Sequence, residues 1–160
     1  MKKITPSQLQ SLSEQAQASP RRCANLNLHT ELSDPIQRLA IAMEPDTYVR
    51  PHRHPHTWEL LYPLAGRFVV LHFDDSGTVT ARTVLGEDAA ALETPAGGWH
   101  AVLSLDVAGV IFEVKHGPYQ PIPDADYAPW SPAAETAEAA DAARLNDWYA
   151  GARIGERWPG

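Results

Sequence analysis

The sequence predicts an all-β fold, a single closed antiparallel barrel or jelly roll with a helix near each end. Three observations favour it: short β-patterned segments fill the middle of the chain, tight turns separate them, and helical patterns are confined to the two ends. Closure is favoured because it removes the exposed edges that an open sheet must protect. The 160 residues, 44% of them hydrophobic, are enough for one compact domain with a hydrophobic core.

The N-terminal helix is predicted from its start signal. Thr5 is the expected N-cap, Pro6 suits the first helical position, and Gln8 completes a capping box. Apolar residues then recur at helical spacing, which predicts a short amphipathic helix that covers an edge or an open end of the sheet. We expect this helix to end near Ser19 and Pro20.

Eight segments in the middle of the chain have the composition and the flanking turns of β-strands. The loop at residues 74–77 has strong turn chemistry and predicts a hairpin between two of them. The predicted strands cover residues 35–43, 47–54, 58–64, 67–73, 78–85, 89–93, 100–105 and 110–115.

The C-terminal part of the chain has a different composition. Residues 118–132 are proline-rich, which predicts an extended segment that wraps the surface. Alanine and glutamate dominate after that and predict a helix to about Tyr149, followed by a loose tail over residues 151–160. We therefore place the barrel domain with its N-terminal helix at residues 1–130 and an alanine-rich helical extension at residues 131–160.

Charge and cysteine content restrict the classes of partner. The net charge of -7 and the isoelectric point near 5.4 argue against nucleic acid and membrane surfaces as partners and favour a small-molecule ligand. A single cysteine, Cys23, rules out an internal disulfide and fits a reducing compartment. The start of the chain does not resemble a secretory signal, and no segment is apolar enough to span a bilayer. We predict a cytoplasmic protein and leave a homodimer open.

Four residues in the β-patterned region predict a metal site. His52 and His54 lie two positions apart, so in an extended strand they point the same way, while Glu59 and His100 can join them from neighbouring strands. Three imidazoles and one carboxylate suit a divalent transition metal such as iron, manganese, nickel or zinc. An octahedral ion would keep two positions for water or substrate.

Other histidines are alternatives that carry less weight. His56 shares the alternation of His52 and His54, but Pro55 interrupts the strand just before it. His56 is therefore only an alternative ligand in place of one of the others. His72 lies among apolar residues, and packing or solvent contact is the expected role. His116 precedes a turn and is interpreted in the same way.

Three charged residues are expected near the same cavity. Arg50 precedes His52 by two positions, so its guanidinium is our candidate substrate-binding group, with a structural salt bridge as the alternative. Glu113 and Lys115 share one face of the last strand and are the candidate catalytic residues if that face points inward. An ion pair on the outer face is the alternative for these two.

The spacing of the proposed ligands resembles the two cupin motifs, His52-x-His54 with Glu59 and Gly66, then Pro95-x-Gly97-x-x-His100. Asp46 stands where the first motif usually has glycine, and Ser104 where the second often has asparagine; both are scaffold positions. A closer resemblance, to the WbuC family of cupin-fold metalloproteins, covers roughly residues 1 to 132. It rests on Ser19-Pro20-Arg21, Asn27-Leu28-His29, Asp34-Pro35-Ile36-Gln37-Arg38, residues 48–55, Phe112-Glu113-Val114-Lys115, Gly117-Pro118-Tyr119 and Ala128-Pro129-Trp130.

The resemblance implies a metal-containing cupin associated with bacterial surface-polysaccharide gene clusters, without a defined reaction. We therefore predict a metal-dependent cupin that acts on a small anionic or sugar-derived metabolite. The alternative is a non-catalytic, metal-dependent module that binds a saccharide or small acid, and the fold alone does not choose between the two.

Overall fold

The structure is a computed structural model that describes residues 1–133 and 139–159. Its helices are α1 (Pro6–Ala18) and α2 (Ala139–Gly151), with a short 3-10 turn at Asp124–Asp126. Its strands are β1 (Cys23–Asn27), β2 (Ile36–Met43), β3 (Glu59–Ala65), β4 (Phe68–Phe73), β5 (Val79–Leu85), β6 (Leu92–Thr94), β7 (Trp99–Ser104) and β8 (Gly109–His116). None of the helices in these two ranges is both long and apolar enough to cross a membrane.

The strands form two antiparallel sheets. One has the order β1-β2-β8-β3-β6 and the other β5-β4-β7. Apolar side chains from both sheets meet in one buried cluster, in which Leu61 and Ile111 of the first sheet contact Phe68, Val70 and Val102 of the second. The sheets therefore face each other around a common interior, and the predicted all-β jelly-roll fold is confirmed.

Each helix covers the outer face of one sheet. Leu12 and Ala16 of α1 pack on buried Ala40, Ala42 and Val110 of the five-stranded sheet. The predicted capping box is present, since Thr5 N donates to Gln8 Oε1 (3.0 Å) and Gln8 N donates back to Thr5 Oγ1 (3.3 Å).

The C-terminal helix lies on the three-stranded sheet. Leu145 and Tyr149 of α2 are fully buried in a cluster with Val69 and Leu71 of β4. The predicted start of this helix includes residues 134–138, which lie outside the described residues.

Two local predictions were wrong. Residues 47–54 do not form a strand; His52 alone makes bridges, to His100 and Tyr127, because Pro51 and Pro55 lack the N–H groups that a ladder needs. The described part of the C-terminal tail is not loose. Val79 N donates to Glu156 O (2.8 Å), so the tail extends the edge of β5.

Candidate metal centre

The barrel interior is divided into an apolar half and a polar half. Strands β4 and β7 are neighbours, and their inward residues Val70 and Val102 lie opposite each other. Two residues further along β4, His72 lies opposite His100. The same strands thus supply apolar groups at one end and polar groups at the other. The polar half contains His52, His54, Glu59, His72, Thr94, His100, Glu113 and Lys115.

Three of the four predicted ligands form a tight group. One ring nitrogen from each of His52, His54 and His100 lies within 4.8 Å of the other two. Reciprocal backbone hydrogen bonds bring the two motif segments together, from His52 N to His100 O (3.0 Å) and from His100 N to His52 O (2.9 Å). The histidines therefore meet although 48 positions, 100 − 52, separate the outer two in the sequence.

Backbone carbonyls set the orientation of two of these rings. His52 Nδ1 lies 2.9 Å from Arg50 O, and His100 Nδ1 lies 3.0 Å from Gly98 O. Because a carbonyl only accepts, each Nδ1 donates its proton there, which leaves Nε2 as the ring nitrogen that can bind a metal. Nε2 of His100 is buried, and although Glu59 Oε2 lies 3.1 Å away, it makes no hydrogen bond of good geometry in the described part of the chain. A histidine held in this way is the usual preparation for a metal ligand, so the donor set fits a bound transition metal.

Glu59 lies beside the three histidines and is buried. Its Oε2 is 3.1 Å from His100 Nε2, and its Oε1 is 3.5 Å from His54 Nε2. The same Oε1 accepts from Lys115 Nζ at 3.2 Å. Burial raises the pKa of this carboxyl group, but its contacts with the two histidines and the Lys115 charge hold it well below the usual range. The group is therefore an anion that faces both the histidines and the ammonium.

Glu113 and Lys115 point into the barrel rather than to its outer face. Lys115 pairs with Glu59 in the β3–β8 register, and its Nζ lies 2.9 Å from Glu113 Oε1 and 3.4 Å from His54 Nε2. Burial and the neighbouring Glu59 charge raise the pKa of Glu113 to about 7, with Lys115 opposing them. The three charged groups form one buried network next to the histidines.

Burial also affects the imidazoles. It lowers the pKa of His52 to about 3 and that of His72 to about 4, with His100 adding to both shifts. Burial opposes protonation of His100 as well, but the adjacent Glu59 carboxylate raises its pKa overall. His52 and His72 are therefore neutral at physiological pH, the state in which imidazole is a good ligand or neutral donor.

Arg50 lies next to the site, but other parts of the chain already occupy its guanidinium. Nε donates to Ser131 Oγ (3.0 Å), and Nη2 donates to Ser131 O (3.1 Å). The guanidinium also lies 5.0 Å from the centre of the Tyr127 ring. These contacts attach the segment after the barrel to the segment that contains His52, and a substrate-binding role for Arg50 stays a prediction.

The segment after the barrel also supports the backbone around His52. Arg53 N donates to Asp126 O (3.0 Å), Arg53 Nε lies 3.0 Å from Asp126 Oδ1, and Ala128 N donates to Pro51 O (2.8 Å). Since the segment 51–54 lacks a strand ladder of its own, these bonds and the bridge to His100 fix its position.

The remaining histidines divide into outer and inner positions. His56 is exposed in a turn and is not in the three-histidine group, and His116 lies against Trp58 with ring centres 5.1 Å apart. His72, which sequence reasoning assigned to packing or solvent, faces the interior with its ring centre 6.3 Å from that of His100. The alternation of inward Phe68 and Val70 with His72 along β4 was the signal that indicated this placement.

The two departures from the cupin motifs have local structural roles. Arg22 Nε contacts the Asp46 carboxylate at 3.0 Å, and Ser104 Oγ donates to Asp106 O at 2.8 Å. Neither residue reaches the histidine group.

Comparison with known families gives one match. The model of a family described as "Domain of unknown function (DUF6016)" matches residues 4–85, just over half of the chain. No curated protein sequence matches.

Solved structures share the fold at low sequence identity. KdgF from Halomonas sp. is 14% identical, with a TM-score of 0.50 over 64% of this chain and 84% of that one. TT1209 from Thermus thermophilus is 20% identical, with a TM-score of 0.54 over 72% and 97%. A recombinant oxalate oxidase in complex with glycolate is 17% identical, with a TM-score of 0.52 over 67% and 57%. KdgF and oxalate oxidase have the cupin fold, so the fold of this chain is that of a cupin.

Proposed function

The chain belongs to the DUF6016 family, and we propose that it is a metal-dependent cupin acting on a small anionic or sugar-derived metabolite. The observation that carries the proposal is the group formed by His52, His54 and His100, whose ring nitrogens converge in the polar half of the barrel. The resemblance to the WbuC family and its link to surface polysaccharides supports the metabolite class and rests on the sequence alone.

The proposed ligands are the three histidines and Glu59. The buried Nε2 of His100 and the Glu59 carboxylate 3.1 Å from it are groups that a divalent cation would bind together. Iron, manganese, nickel and zinc all accept this donor set. When bound, such an ion polarises the oxygen atoms of a ligand and stabilises negative charge on them.

Glu113 and Lys115 are the proposed catalytic residues. The Lys115 ammonium lies 3.4 Å from His54 Nε2, close enough to attract an anionic group bound beside the histidines. Glu113 has a pKa of about 7, which suits a group that takes up and returns a proton near neutral pH. The ion pair between the two keeps both side chains at the site.

Metal content tests the proposal most directly. Protein purified without added metal should contain about one divalent transition metal per chain by elemental analysis, and His54→Ala should lose most of it. His56→Ala is the matched control, because that histidine is exposed and should leave the metal content unchanged.

A thermal-shift screen of sugar nucleotides and small acids then identifies a ligand. Turnover of a stabilising compound supports an enzyme, whereas saturable binding without turnover supports the alternative of a binding module. Wild-type protein without metal, or His54→Ala with full metal content, would contradict the proposed site.

A further inference from the structure

His72 has the position of a ligand-binding residue, although it is outside the group of proposed metal ligands. It lies on β4 directly opposite His100 in the β4–β7 register. The two residues before it on the same inward face, Phe68 and Val70, are fully buried in the apolar half. His72 is therefore the first polar side chain of this strand at the boundary between the apolar half and the metal centre.

One side of the His72 ring is held and the other is free. Nε2 lies 3.1 Å from Thr94 Oγ1, and Thr94 is itself buried and pairs with Glu59 in the β3–β6 register. Nδ1 has no hydrogen-bond partner among residues 1–133 and 139–159. Unlike Nε2 of His100, this nitrogen is not fully buried, so a bound molecule can reach it. A half-buried ring whose orientation is fixed through one nitrogen leaves the other available to a molecule bound beside it.

The two sheets present different chemistry to that molecule. Lys115 and Glu113 come from β8 of the five-stranded sheet, whereas His72 comes from the three-stranded sheet that faces it. A ligand between the sheets thus meets a cation on one side and a neutral imidazole on the other. An acid that carries a second oxygen function satisfies both sides, with its carboxylate toward the ammonium and a hydroxyl or carbonyl oxygen toward the imidazole.

We propose that His72 positions the ligand of this site through Nδ1 and selects small hydroxy or oxo acids over simple carboxylates. The inference rests on the proposed metal-dependent function and adds a ligand class and a selecting residue to it. His72 acts on the bound molecule and does not coordinate the ion.

The test uses the full chain loaded with Co(II), with glycolate and acetate as probes of a hydroxy acid and a simple acid. Titration of the visible Co(II) absorption gives a Kd for each probe in wild-type protein, His72→Leu and His72→Gln. We expect His72→Leu to bind glycolate about tenfold more weakly, the scale of one lost hydrogen bond, with acetate affinity unchanged. His72→Gln should recover part of the loss because its amide retains hydrogen-bonding groups.

The control variant is His116→Leu, which removes an exposed histidine that contacts Trp58 outside the barrel interior. It should leave both affinities unchanged. All variants are compared at equal Co(II) content, so a change in the glycolate to acetate ratio reports on the ligand alone.

Three outcomes would overturn the inference. Equal glycolate affinity in wild-type protein and His72→Leu would show that the imidazole makes no contact with the ligand. Loss of Co(II) from both His72 variants would show that the residue supports the metal instead. A wild-type Co(II) spectrum that glycolate does not change would exclude this ligand class while leaving the metal centre intact; failure to bind Co(II) at all would instead refute the proposed function.

Discussion

Lys115 is the only lysine or arginine within 4 Å of the buried carboxylates Glu59 and Glu113 among the described residues. The ammonium side chain is 19% exposed, so little solvent screens these charges. Removal of one member of such a network leaves its partners as uncompensated buried charges. The resulting loss in the free energy of unfolding is larger than the stabilisation that the intact ion pair provides. The stability of the metal-free protein is therefore expected to depend strongly on this lysine.

Lys115→Met tests this dependence in metal-free protein. We expect the free energy of unfolding to fall by about 3 kcal/mol, because Glu59 and Glu113 then lie together without a cation. Urea unfolding of Lys115→Met and of the double variant Lys115→Met/Glu113→Gln measures the effect. The double variant should be the more stable of the two, and a double variant that is equally unstable would show that packing of the lysine chain, not charge, is lost.

Arg50→Lys separates the two roles considered for Arg50. Lysine keeps the charge but cannot make both contacts to Ser131, so we expect the free energy of unfolding to fall by about 1–2 kcal/mol with metal content unchanged. Denaturant unfolding and elemental analysis measure both quantities. Ser131→Ala is the matched control, since it removes one acceptor and leaves the guanidinium in place.

The affinity of Arg50→Lys for a ligand from the thermal-shift screen decides whether the residue also contacts substrate. Weaker binding at full metal occupancy would support the substrate-binding prediction. Unchanged affinity would make Arg50 a purely structural attachment for the segment around Ser131.

At the scale of elements, predictions from local signals agree with the structure. Helix α1 begins and ends where its capping box and Ser19-Pro20 indicate, because those signals lie within the helix or next to it. The hairpin of β4 and β5 was predicted for the same reason: the loop 74–77 contains the turn residues that it needs.

Predictions that depended on distant partners were incomplete. Strand β1 was not predicted, since Asn25 and Asn27 have low strand propensity and the strand exists through its ladder with β2. Pairing of the tail with Val79 likewise joins residues far apart in the chain.

In the candidate site, too, local sequence signals predicted more than contacts between distant parts of the chain. The motif spacing predicted the histidines that meet around His100, although His52 and His54 lie in an extended segment with an isolated bridge rather than in the expected strand. The inward position of His72 was missed although its alternation with Phe68 and Val70 along β4 indicates it, whereas its place opposite His100 follows from the register of β4 against β7, which spacing within one segment does not contain.

The C-terminal helix is expected to contribute to stability more than to metal binding. Tyr149 is fully buried against the three-stranded sheet, and its hydroxyl lies 3.3 Å from Val49 O. We expect Tyr149→Ala to lower the free energy of unfolding by about 3–5 kcal/mol through the cavity it leaves. Tyr149→Phe, which keeps the ring, should cost only about 1 kcal/mol.

We also predict that the segment from Ala133 to Gly160 is dispensable for metal binding, and these variants address that prediction. Deletion from Ser131 would remove the acceptors of Arg50 together with the helix, so its result would combine two effects. Chemical denaturation gives the stability of each variant, and elemental analysis of the folded Tyr149→Ala protein gives its metal content. Loss of metal from folded Tyr149→Ala would contradict the prediction.

At the scale of the whole molecule, three apolar clusters surround one polar region. Two of them lie under the helices and the third fills one half of the barrel, so packing does not depend on the polar half. Among the described residues, the polar half brings together Glu59, Glu113 and four histidines with a single lysine. Buried groups of this kind cost stability unless they are paired, and a bound cation pairs several of them at once.

Metal binding is therefore expected to stabilise the whole fold. A ligand that binds only the folded state at a free concentration 100 times its Kd adds about 2.7 kcal/mol to the free energy of unfolding. For a chain of this size, that corresponds to a rise in Tm of roughly 5–10 °C. Scanning calorimetry of protein treated with a chelator, before and after addition of Co(II) or Zn(II), measures this rise.

His54→Ala supplies the reference for that measurement. It removes one proposed ligand of the site, and because His54 lies outside the three apolar clusters, the variant should remain folded. Its Tm should respond only weakly to the same metal, so the difference between the two shifts isolates the contribution of the site from non-specific binding to the acidic surface. Equal shifts in wild-type protein and His54→Ala would place the stabilising metal elsewhere on the chain.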